Sequence, residues 1–354
     1  MLALTSCDVH QFPAQMEDPD KPGVPNPPDD PVYPDDPDKY VDLDMKVEYA
    51  TDMYLWEHYY DPKLGKVVES YPEENVDGNH PGTTDIFPGK VNYGLKHITA
   101  RFFVYGYTEY VREEEFTEEV TEDYDTNLPI RIMPGDYDVV VWTDFIESEE
   151  HSRFYDASNF QSIKIDYDYF KANSDHRDTF RGRKYFTLGE EGGTVTVEMN
   201  RPMAKYEFIT TDLSEFLERE TVRRELKSTR ASIDDYVVKI YYSTYHPSAY
   251  SAIEDILRDS STGINFETEV TVTGESEASL GYDYVFINEY ADSGVQATIV
   301  VYDKEGNSVA QSHQITVPLR RDHHTLLRGA FLTQKGEGGV GIDPGYNGDH
   351  NIIP

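Results

Sequence analysis

Nine short runs of this chain are rich in aromatic and β-branched residues, and turn residues separate them. They are HITARFFVYGY (97–107), GDYDVVVWTDF (135–145), GGTVTVEMN (192–200), AKYEFITT (204–211), DYVVKIYYSTY (235–245), NFETEVTVTG (265–274), YDYVFINEY (282–290), GVQATIVVYD (294–303) and SVAQSHQITVPL (308–319). GGTVTVEMN and AKYEFITT alternate with a period of two, the mark of a half-buried strand. Met133-Pro134-Gly135 is a turn that delivers the second run, and Lys304-Glu305-Gly306-Asn307 is the tightest turn signal. One helix is expected from Asp212, with Glu215 as its capping-box partner, to about Leu226. A second short helix is expected after Pro247, from Ser248 to Leu257. Many short strands and few helices predict a mainly β chain of two sandwich domains in series. A length of 354 residues suits two domains. The turn at Asn200 to Pro202 divides them, giving sandwiches over 45–200 and 201–333.

The two ends read differently. Residues 17–40, EDPDKPGVPNPPDDPVYPDDPDKY, hold eight of the chain's 20 prolines, interleaved with aspartates. Proline fixes φ and removes donors, and like charges repel, so 8–44 is expected to be an extended, solvated tether. At about 3.1 Å per residue it could reach on the order of 100 Å. Ahead of it lies Cys7, the chain's single cysteine. Leu4, Thr5, Ser6 and Cys7 follow the lipobox pattern, in which small residues flank the cut and the thiol carries the diacylglycerol. Residues 1–7 thus read as the remnant of a lipoprotein signal. No basic residue precedes Cys7, so a complete secretory leader is expected to begin upstream of Met1.

Charge narrows the partners. There are 67 acidic and 31 basic residues, for a net charge of −36. Such a surface repels phosphate backbones and anionic lipid heads, which argues against nucleic acid and against charge-driven membrane binding. No run of 18 apolar residues is present. The expected route to a membrane is the lipid on Cys7, since two or three acyl chains anchor stably.

Motifs for chemistry are scarce, and the chain is expected to be non-enzymatic and without a cofactor. There is no G-x-S-x-G, H-E-x-x-H or P-loop pattern. His323-His324 are neighbours that point to opposite faces if in a strand, and read as a loop pair before the last strand. SDHRD (174–178) reads as a chance cluster in an acidic chain, and REEEFTEEVTED (112–123) as a solvated acidic face. The better calcium candidates are Asp343, Asn347 and Asp349 in DPGYNGDHN. Within the Gly-rich tail, 334–354, Val340 and Ile342 alternate as in a short edge or donor strand.

Several stretches together resemble the fimbrillin-like surface lipoproteins of Gram-negative gut and oral anaerobes, nearest to a branch whose role is not established. They are IMPGDYDVVVWTDF (132–145), FYDASNFQSIKI (154–165), HRDTFRG (176–182), NRPMAKYEFITTDLSEF (200–216), YYSTYHPSAY (241–250), LGYDYVFINE (280–289), VPLRRDHHTLLRGAFLT (317–333) and GGVGIDPGYNGDHNI (338–352). The resemblance implies two transthyretin-like Greek-key sandwiches, export as a lipoprotein of the outer membrane, and pilus assembly by strand donation. It also implies trimming of shaft subunits near the first strand, often after arginine. This chain departs there, because its first arginine is Arg101 and only Lys39 and Lys46 lie nearby. An untrimmed subunit keeps its lipid, which favours an anchor, tip-associated or free-standing surface protein, partnered by other fimbrial subunits or a host or glycan ligand. The alternative is a glycan-binding lipoprotein of a nutrient-uptake system, for which coplanar exposed aromatics would speak.

Overall fold

The run DYDVVVWTDF does not alternate cleanly because both faces of its strand are covered. In the computed structural model, which describes residues 39–62, 65–69, 83–85, 94–121, 124–146, 154–224, 231–288 and 293–334, the strand Gly135–Ile146 is buried along almost its whole length. Val139 and Val141 enter one apolar core, and Val140 and Trp142 enter another on the opposite face. The chain is mainly β, and all nine runs contain strands.

The first sandwich packs three strands on four. Gly193–Met199, Val41–Tyr49 and Thr126–Ile132 form one sheet. Thr179–Leu188, Gly135–Ile146, Leu95–Val104 and Tyr110–Glu119 form the other. Tyr110–Glu119 is the outer strand and carries the acidic run. Its Glu113 and Glu118 pair with Arg101 and Lys96 of the neighbouring strand. The remaining charges discourage a further strand from pairing on that edge.

In the second sandwich, Ala278–Phe286, Met203–Thr210, His323–Gly329 and Asp52–Asp61 face a sheet centred on Tyr236–Tyr242 and Ser293–Asp303. A small sheet of Ile256–Ser261, His246–Ser251, Ile163–Ile165 and Tyr155–Asp156 contributes to a third core. That core joins Trp142 and Val140 of the first sandwich to Met203, Tyr284 and Phe286 of the second.

Four expectations change. Asp52–Asp61 and Lys66–Glu69 lie on the second sandwich, not the first, because Asp52–Asp61 pairs in parallel with His323–Gly329. The expected second helix, 248–257, is instead a hairpin of His246–Ser251 and Ile256–Ser261, turning at Asp255 with φ +60°. Burial of His246–Ser251 on several sides removed the alternation that would have marked it as strand. The one α-helix among the described residues is Leu213–Arg223, near its expected place. Its Asp212 makes no capping bond. The Asp212 carboxylate instead accepts the backbone N–H groups of Leu332 and Thr333 and the Thr333 hydroxyl, tying the end of the last described segment to the helix start. His323 and His324 open a strand rather than a loop, and point apart as the pleat requires. His323 packs on the rings of Tyr54 and Trp56, and His324 lies 3.2 Å from Glu207.

Candidate assembly site

The first strand, Val41–Tyr49, is the middle strand of its sheet. It runs parallel to Gly193–Met199 and antiparallel to Thr126–Ile132, so both of its edges are hydrogen-bonded. Leu43, Met45 and Val47 alternate into the core at 1%, 0% and 0% exposure. Met45 sits between Val195 and Leu128. The intervening Asp42 and Asp44 are exposed. The expected tether ends at Asp44, yet Val41 to Asp44 already belong to this strand. The two aspartates continue the charge pattern of the preceding tract and hide an apolar face of period two.

Backbone fit holds the strand at its start. Gly192 has φ +79°, and a Cβ there would lie 2.3 Å from the Asp42 carbonyl oxygen. Only glycine lets that turn press against the strand. At the other end the Tyr49 N–H donates to Asp125 Oδ1 at 3.0 Å, and the Tyr49 hydroxyl bonds Thr143 Oγ1 at 3.0 Å. The Lys96 ammonium lies 4.9 Å above the Tyr49 ring.

Immediately after this strand the chain leaves the first sandwich for the second, and Arg201 holds the crossing. Its guanidinium donates to the carbonyl oxygens of Ala50, Thr51 and Asp52 at 3.5, 3.0 and 3.3 Å. Its Nε donates to both Asp178 oxygens at 2.8 and 2.9 Å. Both side chains are fully buried, and the Phe180 ring lies 4.6 Å beneath the guanidinium. Burial lifts the Asp178 carboxyl to about 6, with Arg201 opposing that rise.

SDHRD is therefore no chance cluster. Asp175 bonds Lys205 and the Tyr284 hydroxyl, Arg177 pairs with Asp283 at 3.5 Å, and Asp178 pairs with Arg201. Nothing in the local pattern marks these residues, since their partners lie 23 to 109 positions away. The sites that the sequence does suggest all lie outside the described residues: Leu4, Thr5, Ser6 and Cys7, the strand residues Val340 and Ile342, and the calcium candidates Asp343, Asn347 and Asp349.

Beside this network His246 is fully buried. Its Nδ1 is 3.1 Å from the Tyr167 hydroxyl, its ring lies 4.3 Å from that of Tyr242, and Nε2 is 4.0 Å from Asp283. Burial, then the Arg177 charge, pushes its pKa down to about 3. The unfolded chain therefore binds this proton first. The stability His246 contributes is complete above pH 6.5 and is lost as pH falls from there toward 3. Asp178 and Asp283, both raised by burial, act with the opposite sign. The expected result is thus a difference between two proteins. Between pH 7.5 and 5, wild type should lose about 2 kcal/mol more in urea titrations than His246→Phe. Parallel pH profiles for the two would show that His246 titrates alike in both states.

The family of unknown function DUF6562 matches residues 79–353. No curated protein matches the chain. Among solved structures, a candidate cell-adhesion protein from Bacteroides eggerthii is 11% identical with a TM-score of 0.41, over 85% of this chain and 90% of that one. The fimbrial anchor protein Mfa2 from Porphyromonas gingivalis is 10% identical with a TM-score of 0.36, over 77% and 82%. The tip fimbrial protein Mfa3 from the same organism is 9% identical with a TM-score of 0.37, over 78% and 81%. At such TM-scores the likeness carries no functional information.

Proposed function

This chain belongs to the DUF6562 family, and we propose that it is a non-enzymatic, lipid-anchored cell-surface protein that anchors or terminates a fimbria. The observation that carries this reading is the filled seat of the first strand. In the strand-donating assembly that the resemblance implies, shaft subunits are trimmed near the first strand. Here the strand is central, bonded on both edges and buried through Leu43, Met45 and Val47. No arginine precedes Arg101 to direct its removal by an arginine-preferring protease.

The placement also suits an anchor. The Pro/Asp tract leads directly into this strand. Tension drawn through the tract would load both of the strand's hydrogen-bonded edges in shear, so its bonds would share the load. The lipid on Cys7 belongs to the same reading. In the native host, Cys7→Ala should move the protein from the membrane to the soluble fraction. In the native host, the wild-type protein should co-purify with fimbrial subunits and retain residues 41–49. Unmodified Cys7 in the native membrane fraction would refute the lipid anchor. Recovery of a form lacking residues 41–49 from assembled fimbriae would instead make this a shaft subunit.

A further inference from the structure

The outer face of the first sandwich's four-stranded sheet is covered at one end by the third core and open at the other. At that border lies a cleft of about 550 Å³, within the range of small-ligand sites. Its floor is Phe103 and Phe160, with Arg101 between. One wall is the turn carrying Thr108, Glu109 and Tyr110, and the other is the segment Ser158 to Gln161.

The lining combines apolar ring surface with polar groups of several kinds. Tyr110 is 46% exposed and stands edge-on to Phe103 at 6.3 Å. Among the described residues, the side chains of Thr108, Glu109 and Gln161 have no hydrogen-bond partner within the chain. A hydroxyl, a carboxylate and an amide thus lie exposed along the cleft, beside an aromatic ring. Such a set suits a ligand with apolar C–H faces and many hydroxyls. Arg101 is not free to hold an anion. Its Nε donates to Glu113 and its Nη2 to the Ser158 carbonyl, while the rings of Tyr110 and Phe160 lie 4.7 and 4.2 Å from its guanidinium. With Glu109 at the mouth and a net charge of −36, the site repels anions.

Beyond the cleft two further tyrosines are exposed, with the buried Phe103 and Asp138 lying between them and Tyr110. Tyr185, Asp138, Phe103 and Tyr110 oppose one another across the four strands, which places their side chains on one face. From Tyr110 to Tyr185 is three strand spacings, about 14 Å, enough for a short oligosaccharide. Tyr185 is 54% exposed and Tyr105 beside it 69%. Their rings meet at 6.1 Å and 72°, so they make a corner and not the coplanar platform that would speak for a glycan-binding lipoprotein of nutrient uptake.

We propose that this cleft binds a neutral oligosaccharide, with one sugar held against Tyr110 and the chain extending toward Tyr185. The corner geometry selects a chain end or branch over a flat polysaccharide surface. The proposal rests on the cleft and not on the first strand, so either can fail without the other.

The test is calorimetric titration of the full chain with three probes: oligosaccharides of β-1,3-glucan, oligosaccharides of α-mannan, and neutral O-glycans released from mucin. At least one should saturate at millimolar concentration or below. Tyr110→Ala should weaken that binding about tenfold. Tyr185→Ala should weaken the longer oligosaccharides and spare the disaccharide. Tyr169→Ala, at a tyrosine 52% exposed and outside the cleft, should bind as wild type does. Thermal melts of the three variants control for folding. Saturation by none of the probes, or equal binding by Tyr110→Ala and wild type, would each overturn the proposal.

Discussion

Arg201→Met is expected to destabilise the folded chain by about 3–5 kcal/mol in urea titration. The loss comes less from the broken attraction than from what remains. Asp178 would stay fully buried without its counter-charge, and three carbonyls at the crossing would lose their donor. The double variant Arg201→Met with Asp178→Leu separates the two causes. Removing both charges should recover part of the loss, because a buried ion pair gains little over apolar groups of similar volume. A residue of about 1–3 kcal/mol should persist from the orphaned carbonyls. If the single variant loses under about 1 kcal/mol, the crossing is held by strand pairing alone.

Met45→Asp should cost about 4 kcal/mol or more, since it buries an unpaired carboxylate between Val195 and Leu128. Met45→Leu conserves apolar volume and should cost under about 1.5 kcal/mol. The two variants should also differ in proteolysis. Lys46 sits within the seated strand, paired with Thr196 and Asn127, and trypsin should spare it in wild type and Met45→Leu. In Met45→Asp the strand should leave its seat, and cleavage after Lys46 should appear early. An unchanged urea midpoint for Met45→Asp would mean that the first strand is not integral to the sandwich, and the anchoring proposal would lose its support.

How much was legible depended on the range over which each residue's partners lie. A strand such as GGTVTVEMN announced itself, because one covered face imposes a period of two on the chain itself. The turn at Lys304 to Asn307 was equally local. Gly306 takes φ +84°, and Asp303 Oδ1 accepts the N–H groups of Glu305 and Asn307. The hairpin at 246–261 was not legible in its first strand, His246–Ser251, since a strand buried on several sides loses its alternation. The capping role expected of Asp212 failed for a related reason. Its carboxylate is taken by Leu332 and Thr333, 120 and 121 positions away, and no local pattern announces such a competitor.

By itself the sequence determined that the chain pairs strands, buries apolar side chains between them and carries a Pro/Asp tract ahead of them. Those outcomes follow from side-chain size, branching and charge within a few residues. Only the tertiary structure decided that the first strand sits mid-sheet, that the next strand joins the other sandwich, and that Asp178 and Arg201 meet at the crossing. Parallel pairing leaves no hairpin signature to read. A buried charge finds its partner by position in space, and nothing in its neighbours along the chain records which partner that will be.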